Sequence, residues 1–227
     1  MGKLNLLRGI VTRIKTVSFD NPKGYFEKIL AMDCETTGLN FESDNPSDGH
    51  QAISWGIIVA DAHTLKPIEE LYLEIKWNDE SRAMKEKDPN FGIDAAAIHG
   101  LTFKYLEKNG VTEEEGVTQI ANLIINHWGP TSQVKTLGHN VHMFDLPFLR
   151  AMFRRHGIDI PIGSRHYDSN SAGFCTVGSY TSDGLFETMG FNARDSHNSL
   201  EDARMALESC RLIKELWNQK VGLKAYV

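Results

Sequence analysis

Residues 29–39 read ILAMDCETTGL, an apolar run that ends in two carboxylates and a short polar turn. The apolar part has the length and composition of a buried β-strand. Side chains alternate between the faces of a strand, so Asp33 and Glu35 point to one face, with Cα atoms roughly 6.5–7 Å apart. Cys34 points the opposite way, into the core. Two acids at the end of a buried strand are costly unless a proton or cation neutralises them, so the segment predicts a strand leading to a chemical site.

Hydrophobic patterns place two further strands after this segment. A polar loop from Glu42 to His50 precedes a near-continuous apolar run from Ile53 to Ala60, which predicts a second buried strand. Apolar and polar residues alternate from Leu71 to Trp77, which predicts a third strand with one buried face. Residues 78–100 are expected to be irregular, because lysine and glutamate alternate there without an apolar stripe.

The second half of the chain alternates helices with strands. Thr112 and Glu115 form a capping box at the start of a helix, which Gly129-Pro130 ends. A short strand follows at residues 134–137, and further helices are expected from about Asp145 and from about Ser199 to Trp217. Three leading strands followed by this alternation predict an α/β fold, in which a mixed sheet is flanked by helices in a single domain.

Length, charge and cysteine content restrict the class of protein. A chain of 227 residues with 41% hydrophobic content fits one globular domain. Its net charge of −6 excludes a broadly basic surface for long duplex DNA, although carboxylates of an active site would add to that charge. Three cysteines without a CxxC pair predict a reducing compartment and argue against a disulfide framework. Without a bilayer-length apolar stretch or a signal-peptide core, we expect a soluble, cytoplasmic protein with no membrane association.

The first 26 residues form a separate basic extension of unknown role, which a turn signal at Asn21-Pro22 ends, and residues 27–227 form the main domain. Basic residues outnumber acidic ones near the N-terminus, where Lys3, Arg8, Arg13, Lys15, Lys23 and Lys28 accompany only Asp20 and Glu27. This extension could contact phosphates, or it could be an ordinary solvated surface.

Two more carboxylates and a histidine lie at helix starts. Asp145 begins one helix, where its ordinary structural role would be an N-cap. Asp202 lies in the first turn of the last helix, which Asn198 can cap with Glu201 as reciprocal partner. His197 precedes that helix and is free to reach over a site. Each feature alone is common, but their joint occurrence with the acidic pair on the first strand points to one shared site.

Three segments together resemble the motifs of the DEDDh subgroup of 3′→5′ exonucleases: Asp33–Gly38 (DCETTG), His139–Asp145 (HNVHMFD) and His197–Ala203 (HNSLEDA). This group includes the proofreading exonuclease subunits of bacterial replicases, ribonuclease T and the three-prime repair exonucleases. The resemblance runs from about Glu27 to Trp217 in the family's order. The second motif has three residues between its Asn and Phe, where the proofreading and ribonuclease T patterns have two. Residues 144–149 (FDLPFL) are closer to the repair-exonuclease type.

The resemblance implies an RNase H-like fold and two divalent cations, Mg²⁺ or Mn²⁺. The positions that match the family's ligands are Asp33, Glu35, Asp145 and Asp202, and His197 matches its general base. Oxygen ligands without a Cys/His cluster favour Mg²⁺ or Mn²⁺ over zinc. Two such ions can stabilise the attacking and leaving oxygens of a phosphoryl transfer.

The resemblance also implies where the substrate would be bound. The backbone after Glu35 and the Leu39 side chain would meet the terminal nucleotide, and Phe144 would lie near a base, although core packing is the alternative for both side chains. The segment Ile98–Thr102 (IHGLT) resembles one often found between the family's first two motifs. The residues expected to contact substrate are Thr36, Thr37, Gly38, Leu39, His99, Asn140 and Phe144. Arg150 and Arg154 could reach phosphates or form a solvated helix face.

The leading hypothesis is a 3′→5′ exonuclease that releases nucleoside monophosphates from single-stranded DNA ends, with a polymerase or other replication protein as a possible partner in proofreading. Within the same chemistry, an exoribonuclease that trims RNA ends or short oligoribonucleotides is the main alternative, because the sequence does not show how the 2′-hydroxyl is treated. A non-catalytic module that binds nucleic acid or a polymerase would be expected to lack one of the five catalytic side chains. A zinc hydrolase built on His139 and His142 has no third ligand at a suitable spacing.

Overall fold

The computed structural model describes residues 28–39, 50–130, 133–179, 181–192 and 197–221, with the side chains of the last helix described as far as residue 216. The basic extension over residues 1–26, most of the loop from Glu42 to His50 and the Trp217 side chain therefore lie outside the described residues.

The described strands form one mixed sheet in the order β3-β2-β1-β4-β5. The neighbours β1–β2 and β2–β3 are antiparallel, whereas β4 is parallel to both β1 and β5. The strand bounds are β1 (Lys28–Thr36), β2 (Ala52–Asp61), β3 (Pro67–Glu74), β4 (Val134–Gly138) and β5 (Ile162–Asp168). This sheet, with helices on both faces, confirms the predicted α/β class.

Helices occupy much of the chain between and after these strands. Their bounds are α1 (Asp79–Lys87), α2 (Ile93–His99), α3 (Phe103–Asn109), α4 (Glu113–Trp128), α5 (Asp145–Arg155), α6 (Ser169–Val177), α7 (Ser182–Thr188) and α8 (Ser199–Val221). Helix α4 begins with the predicted capping box, in which the side chains of Thr112 and Glu115 each accept from the other's backbone N–H. No helix among these described elements is both long and apolar enough to cross a bilayer.

The two faces of β1 belong to two different hydrophobic cores. Leu30, Met32 and Cys34 pack with side chains of α4 and α5, which confirms the prediction for Cys34. Ile29 and Ala31 pack on the other face with side chains of α7 and α8. Each large apolar side chain fully buried in this way contributes roughly 1.5–3 kcal/mol. Because the faces alternate, Asp33 and Glu35 continue the row of Ile29 and Ala31 and face α8.

The prediction that residues 78–100 are irregular is wrong, because α1 and α2 occupy most of this segment. Helix α1 begins after Asn78, whose side chain accepts a hydrogen bond from Ser81 N at 2.9 Å. Acidic residues fill its first turn and Lys85 and Lys87 its last, an arrangement that the helix dipole favours. The third strand also begins earlier than predicted, at Pro67, and ends at Glu74.

Candidate active site

The end of β1 fixes the positions of the carboxylates of Asp33 and Glu35. Asp33 pairs with Gly56 and Glu35 with Ser54 in the antiparallel register with β2, and the register shifts immediately after Glu35. Glu35 is buried, with 8% of its surface exposed. The shift ends regular pairing at the point where the chain turns into Thr36 and Thr37, so both acids lie at the carboxyl end of a central strand.

Helix α8 approaches this strand end closely because β2 carries a glycine there. A Cβ atom on Gly56 would lie 2.2 Å from the carbonyl oxygen of Ser199 and 2.3 Å from the Leu200 backbone, so only glycine fits. The hydroxyls of Ser54 and Ser199 are hydrogen-bonded at 2.8 Å in the same interface. The first turn of α8, including Asp202, is thereby placed against the end of β1.

The loop before α8 ends in a side-chain cap. Asn198 Oδ1 accepts hydrogen bonds from Leu200 N at 3.1 Å and Glu201 N at 3.2 Å, which confirms Asn198 as the cap. The Glu201 carboxylate forms an ion pair with Arg204, one turn further along the helix. The cap orients the preceding residue, His197, whose backbone N–H approaches the Ile98 carbonyl at the end of α2 at 3.4 Å.

Two distant parts of the chain, the end of β1 and the start of α8, bring Glu35, His197 and Asp202 together. One ligand atom of each residue lies within 4.8 Å of those of the other two. His197 Nδ1 is 3.4 Å from Asp202 Oδ2, and the His197 side chain is 37% exposed whereas Asp202 is nearly buried. Two carboxylates and an imidazole at this separation can hold one cation between them.

Asp145 reaches the same strand from the other side of the sheet. It is the first residue of α5, with Phe144 as the N-cap, so the expected N-cap role does not apply to it. Its Oδ1 accepts a hydrogen bond from Cys34 N at 2.9 Å, which ties α5 to the strand between Asp33 and Glu35. Its Oδ2 is buried and has no hydrogen-bond partner among the described residues. Burial raises the pKa of Asp145 to about 7, although the hydrogen bonds from Cys34 act in the opposite direction.

These residues suit divalent cations. A buried carboxylate oxygen without a donor, as on Asp145, is unfavourable unless a cation or proton compensates it. Glu35 and Asp202 add further buried oxygens on the neighbouring elements. The thiol of Cys34 does not compete as a ligand, because burial and then the charges of Asp145 and Asp33 raise its pKa well above the ordinary value. The donor set is therefore mainly oxygen, as magnesium and manganese prefer.

A cleft of about 670 Å³ opens above these carboxylates. Asp33, Glu35, His197 and Asp202 line it, whereas Asp145 lies behind them. Of the residues expected to contact substrate, those on its wall are Thr36, Thr37, Gly38, Leu39, His99 and Phe144. Asn140 is exposed and is not part of the wall. Its backbone has φ 60 in the left-handed region, and its N–H donates to Asp168 Oδ1 at 2.9 Å.

His99 holds the backbone of the turn after β1. Leu101 N donates to His99 Nδ1 at 3.0 Å, so the ring proton belongs on Nε2, which is 3.2 Å from the Thr36 carbonyl oxygen. Burial lowers the pKa of His99, which favours this neutral ring. The structure thus shows both ring nitrogens bound to backbone at the base of the cleft.

One wall of the cleft consists of residues that the sequence analysis did not single out. The His50 imidazole stacks on the Phe91 ring with centroids 4.6 Å apart, and Thr37 Oγ1 is 3.1 Å from His50 Nδ1. Asp88 and Asp94 also line this end. No motif marks these positions, because they meet the first segment only through the fold of α1 and α2. The acidic residues in the first turns of α1 and α2 were the signal in the sequence that could have pointed to this wall.

The two histidines considered for zinc do not form a metal site in the described part of the chain. His139 Nδ1 is 3.0 Å from Ser169 Oγ, whereas the His142 ring lies beside that of His166. The group of three metal-binding side chains found among the described residues is instead Glu35, His197 and Asp202.

A family model described as exonuclease matches residues 30–209, which include all three motif segments. The chain belongs to this exonuclease family. The match confirms the family predicted from the motifs, and the mixed sheet with its flanking helices confirms the predicted fold class. No curated protein sequence matches the chain significantly.

Solved structures of exonuclease I share the fold of this exonuclease domain. The zinc-bound form of an E. coli exonuclease I–single-stranded DNA complex has a TM-score of 0.66 at 18% identity, covering 85% of this chain and 42% of that one. The E. coli enzyme with a dA16 oligonucleotide has a TM-score of 0.64 at 18% identity, covering 83% of this chain and 41% of that one. Exonuclease I from Methylocaldum szegediense has a TM-score of 0.60 at 20% identity, covering 85% of this chain and 42% of that one. The chain thus spans less than half the length of these proteins.

Proposed function

We propose that this chain is a 3′→5′ exonuclease that hydrolyses terminal phosphodiester bonds of single-stranded DNA and releases nucleoside monophosphates. The observation that carries the proposal is the meeting of Glu35, His197 and Asp202 within 4.8 Å at the floor of an open cleft. Asp33 on the same wall and Asp145 behind it complete the set of acids. A non-catalytic module would have no reason to keep these costly buried carboxylates.

The acids would serve to hold two divalent cations. Asp33, Glu35, Asp145 and Asp202 would hold them. Mg²⁺ or Mn²⁺ bound there would supply Lewis-acid stabilisation of the negative charge that develops on the phosphate oxygens. The hydrogen bond from Cys34 N fixes the orientation of the Asp145 carboxylate and leaves its other oxygen buried without a hydrogen-bond donor.

His197 is suited to act as the general base. Its side chain is partly exposed at the cleft wall, so a water that attacks the terminal phosphate can reach it. An imidazole nitrogen can accept a proton from that water. The Asp202 carboxylate, 3.4 Å away, would stabilise the imidazolium that results. The backbone contact with Ile98 keeps His197 over the floor of the cleft.

The walls of the cleft suit a terminal nucleotide. Leu39 is 80% exposed at the rim, so it is available for contact with a base or sugar. Phe144 lies at the far end, edge-on to Phe148 with centroids 5.3 Å apart. The exonuclease I structures that share this fold contain single-stranded DNA oligonucleotides, which supports DNA as the substrate here. Association with a polymerase or another replication protein stays a prediction.

The test is degradation of a 5′-labelled single-stranded DNA and its RNA counterpart, with Mg²⁺, with Mn²⁺ and with chelator. We expect a ladder of products shortened from the 3′ end with either metal, faster for DNA, and none with chelator. Asp33→Ala should abolish the ladder. Asp159→Ala, which removes an exposed acid outside all three motifs and outside the lining of the cleft, should not.

Three results would change the proposal. Unchanged degradation by Asp33→Ala would show a contaminating nuclease or a wrongly assigned site. A ladder with RNA but not DNA would replace DNA with RNA as substrate. No ladder from folded protein with either metal would refute exonuclease activity.

A further inference from the structure

Two imidazole rings and one guanidinium lie near one another where β5, α5 and the loop before α5 meet. The rings of His142 and His166 have centroids 4.8 Å apart. His166 lies on β5, where its Nδ1 is 2.8 Å from the Thr136 hydroxyl on β4. Partial burial, and then the neighbouring His142 and Arg150, lower the pKa of His166. We call these residues the His142–Arg150–His166 cluster.

The cluster has no internal counterion. Arg150, His142 and His166 form no ion pair with any described residue. Many other described arginines do, in the pairs Arg82–Glu107, Arg155–Glu113, Arg204–Glu70 and Arg211–Glu208. The charge of Arg150 is therefore available to an anion from outside the chain.

Two acids on elements next to α5 are engaged elsewhere. Asp168 Oδ1, at the end of β5, accepts from Asn140 N and from Asn170 N, each at 2.9 Å. Glu113, which faces the last turn of α5, binds Arg155 and also His156 at 3.0 Å. Neither carboxylate therefore compensates the charge of the Arg150 guanidinium.

The cleft is electrostatically asymmetric along its length. At the end on the β2 side of β1, the exposed acids Asp88 and Asp94 line the cleft next to Phe91, which packs on Ile53 of β2. At the end on the β4 side, the loop between β4 and α5 contributes Phe144 and His139, and His142 is only two residues from Phe144 in the chain. A polyanionic strand that occupies the cleft is repelled at the first end and attracted at the second.

We propose that the His142–Arg150–His166 cluster binds the phosphodiester backbone of the substrate strand upstream of the nucleotide being removed. The inference rests on the proposed exonuclease function and extends it. It fixes the direction in which the strand leaves the cleft: past Phe144 and across the start of α5 toward β5. Guanidinium and imidazole donors recognise phosphate oxygens independently of base sequence.

The experiment compares binding of a long strand with hydrolysis of a minimal substrate. Binding of fluorescein-labelled single-stranded DNA about 12 nucleotides long is measured by anisotropy, with EDTA to prevent cleavage, between about 50 and 200 mM salt. KM for a dinucleotide, which is too short to leave the cleft, is measured with Mg²⁺. The variants are Arg150→Gln and His142→Gln, and Arg211→Gln on the far part of α8 is the matched control for charge.

Arg150→Gln should bind the long strand about three- to tenfold more weakly. The slope of log K against log salt should fall by about 0.7, because one phosphate of the strand is no longer neutralised by the protein. His142→Gln should change binding in the same direction, while KM for the dinucleotide stays at the wild-type value in both. Arg211→Gln should match wild type throughout. His142 is exposed, so His142→Gln is expected to keep the fold. Its binding result can therefore be interpreted even if thermal unfolding shows that Arg150→Gln is destabilised.

Wild-type affinity and salt slope in both cluster variants would overturn the inference. An equal loss with the dinucleotide would also overturn it, because the cluster would then act inside the cleft. Both results are distinct from failure of the proposed function, in which wild-type protein produces no ladder at all.

Discussion

Asp145 is held where a carboxylate is unfavourable without a cation. Its Oδ2 is buried without a donor, and burial raises its pKa to about 7 from the ordinary 3.8. The folded protein without metal therefore binds a proton at Asp145 that the unfolded chain releases at lower pH. A raised carboxyl pKa contributes stability that is present below about pH 4 and is lost as pH rises to about 7.

Asp145→Asn should remove this pH dependence. The amide keeps an oxygen to accept the hydrogen bond from Cys34 N but carries no titrating proton. In chelator, the Tm of the variant minus that of wild type should rise steadily between about pH 4 and pH 7 and then level off. Thermal unfolding across this range measures the difference, with Asp159→Asn as control. A difference that is constant with pH would contradict a raised pKa at Asp145.

At the scale of elements, the position of α8 on the sheet depends on one glycine. Gly56 on β2 leaves room for the backbone of Ser199 and Leu200, which a Cβ would approach to 2.2–2.3 Å. Backbone atoms of a helix cannot move aside as the end of a flexible side chain can. Any residue larger than glycine must therefore displace the start of α8, and with it His197 and Asp202.

Gly56→Ala should consequently lower both stability and activity although it replaces none of the side chains proposed to be catalytic. We expect a loss of about 1–3 kcal/mol from overpacking, and a fall in kcat of about 100-fold, because a misplacement of about 1 Å can cost that much. Gly116→Ala on α4 is the matched control, since its Cβ would meet only the end of the flexible Ile75 side chain, at 3.0 Å. Chemical denaturation and the ladder assay measure the two effects. Wild-type activity in Gly56→Ala would show that α8 is not held by this contact.

The elements that could be predicted from the sequence were those in which the spacing of apolar residues matches the repeat of the strand or helix that they form. Strands β1 and β2 are buried apolar runs, and α4 and α8 carry apolar stripes that pack on the sheet. Strand β5 was not recognised, because it lies at the sheet edge and exposes polar residues between Ser164 and Tyr167. Helix α2 is short, and its flanking glycines Gly92 and Gly100, both with positive φ, resemble a loop in sequence.

The residues proposed to be catalytic were identified for a different reason, which is that each lies in a short motif at an element boundary. Their convergence depends on the parallel pairing of β1 with β4 and on the packing of α8, neither of which spacing reveals. His99 was expected to contact substrate from its motif, whereas the structure shows its ring bound to the backbone of Thr36 and Leu101. The wall formed by His50 and Phe91 has no motif, so only the fold brings it to the cleft.

At the scale of the whole molecule, the proposed cation site joins the elements that hold the fold together. Glu35 ends the central strand β1, Asp145 begins α5 on one face of the sheet, and Asp202 lies in α8 on the other. Cations bound by these residues would link both layers of helices through the sheet. Global unfolding would separate all three elements and release the cations, so binding must stabilise the folded state.

Mg²⁺ or Mn²⁺ should therefore raise the Tm of wild-type protein in proportion to the logarithm of concentration. At a hundredfold excess over Kd the gain is about 2.7 kcal/mol, which corresponds to about 5–10 °C for a protein of this size. Asp202→Asn should lose most of this shift, because it removes the carboxylate beside His197 and Glu35. Asp159→Asn should keep the whole shift. Differential scanning calorimetry measures these values. An equal rise in Asp202→Asn and wild type would place the stabilising ions elsewhere, because the lost ligand could not then belong to the site that binds them.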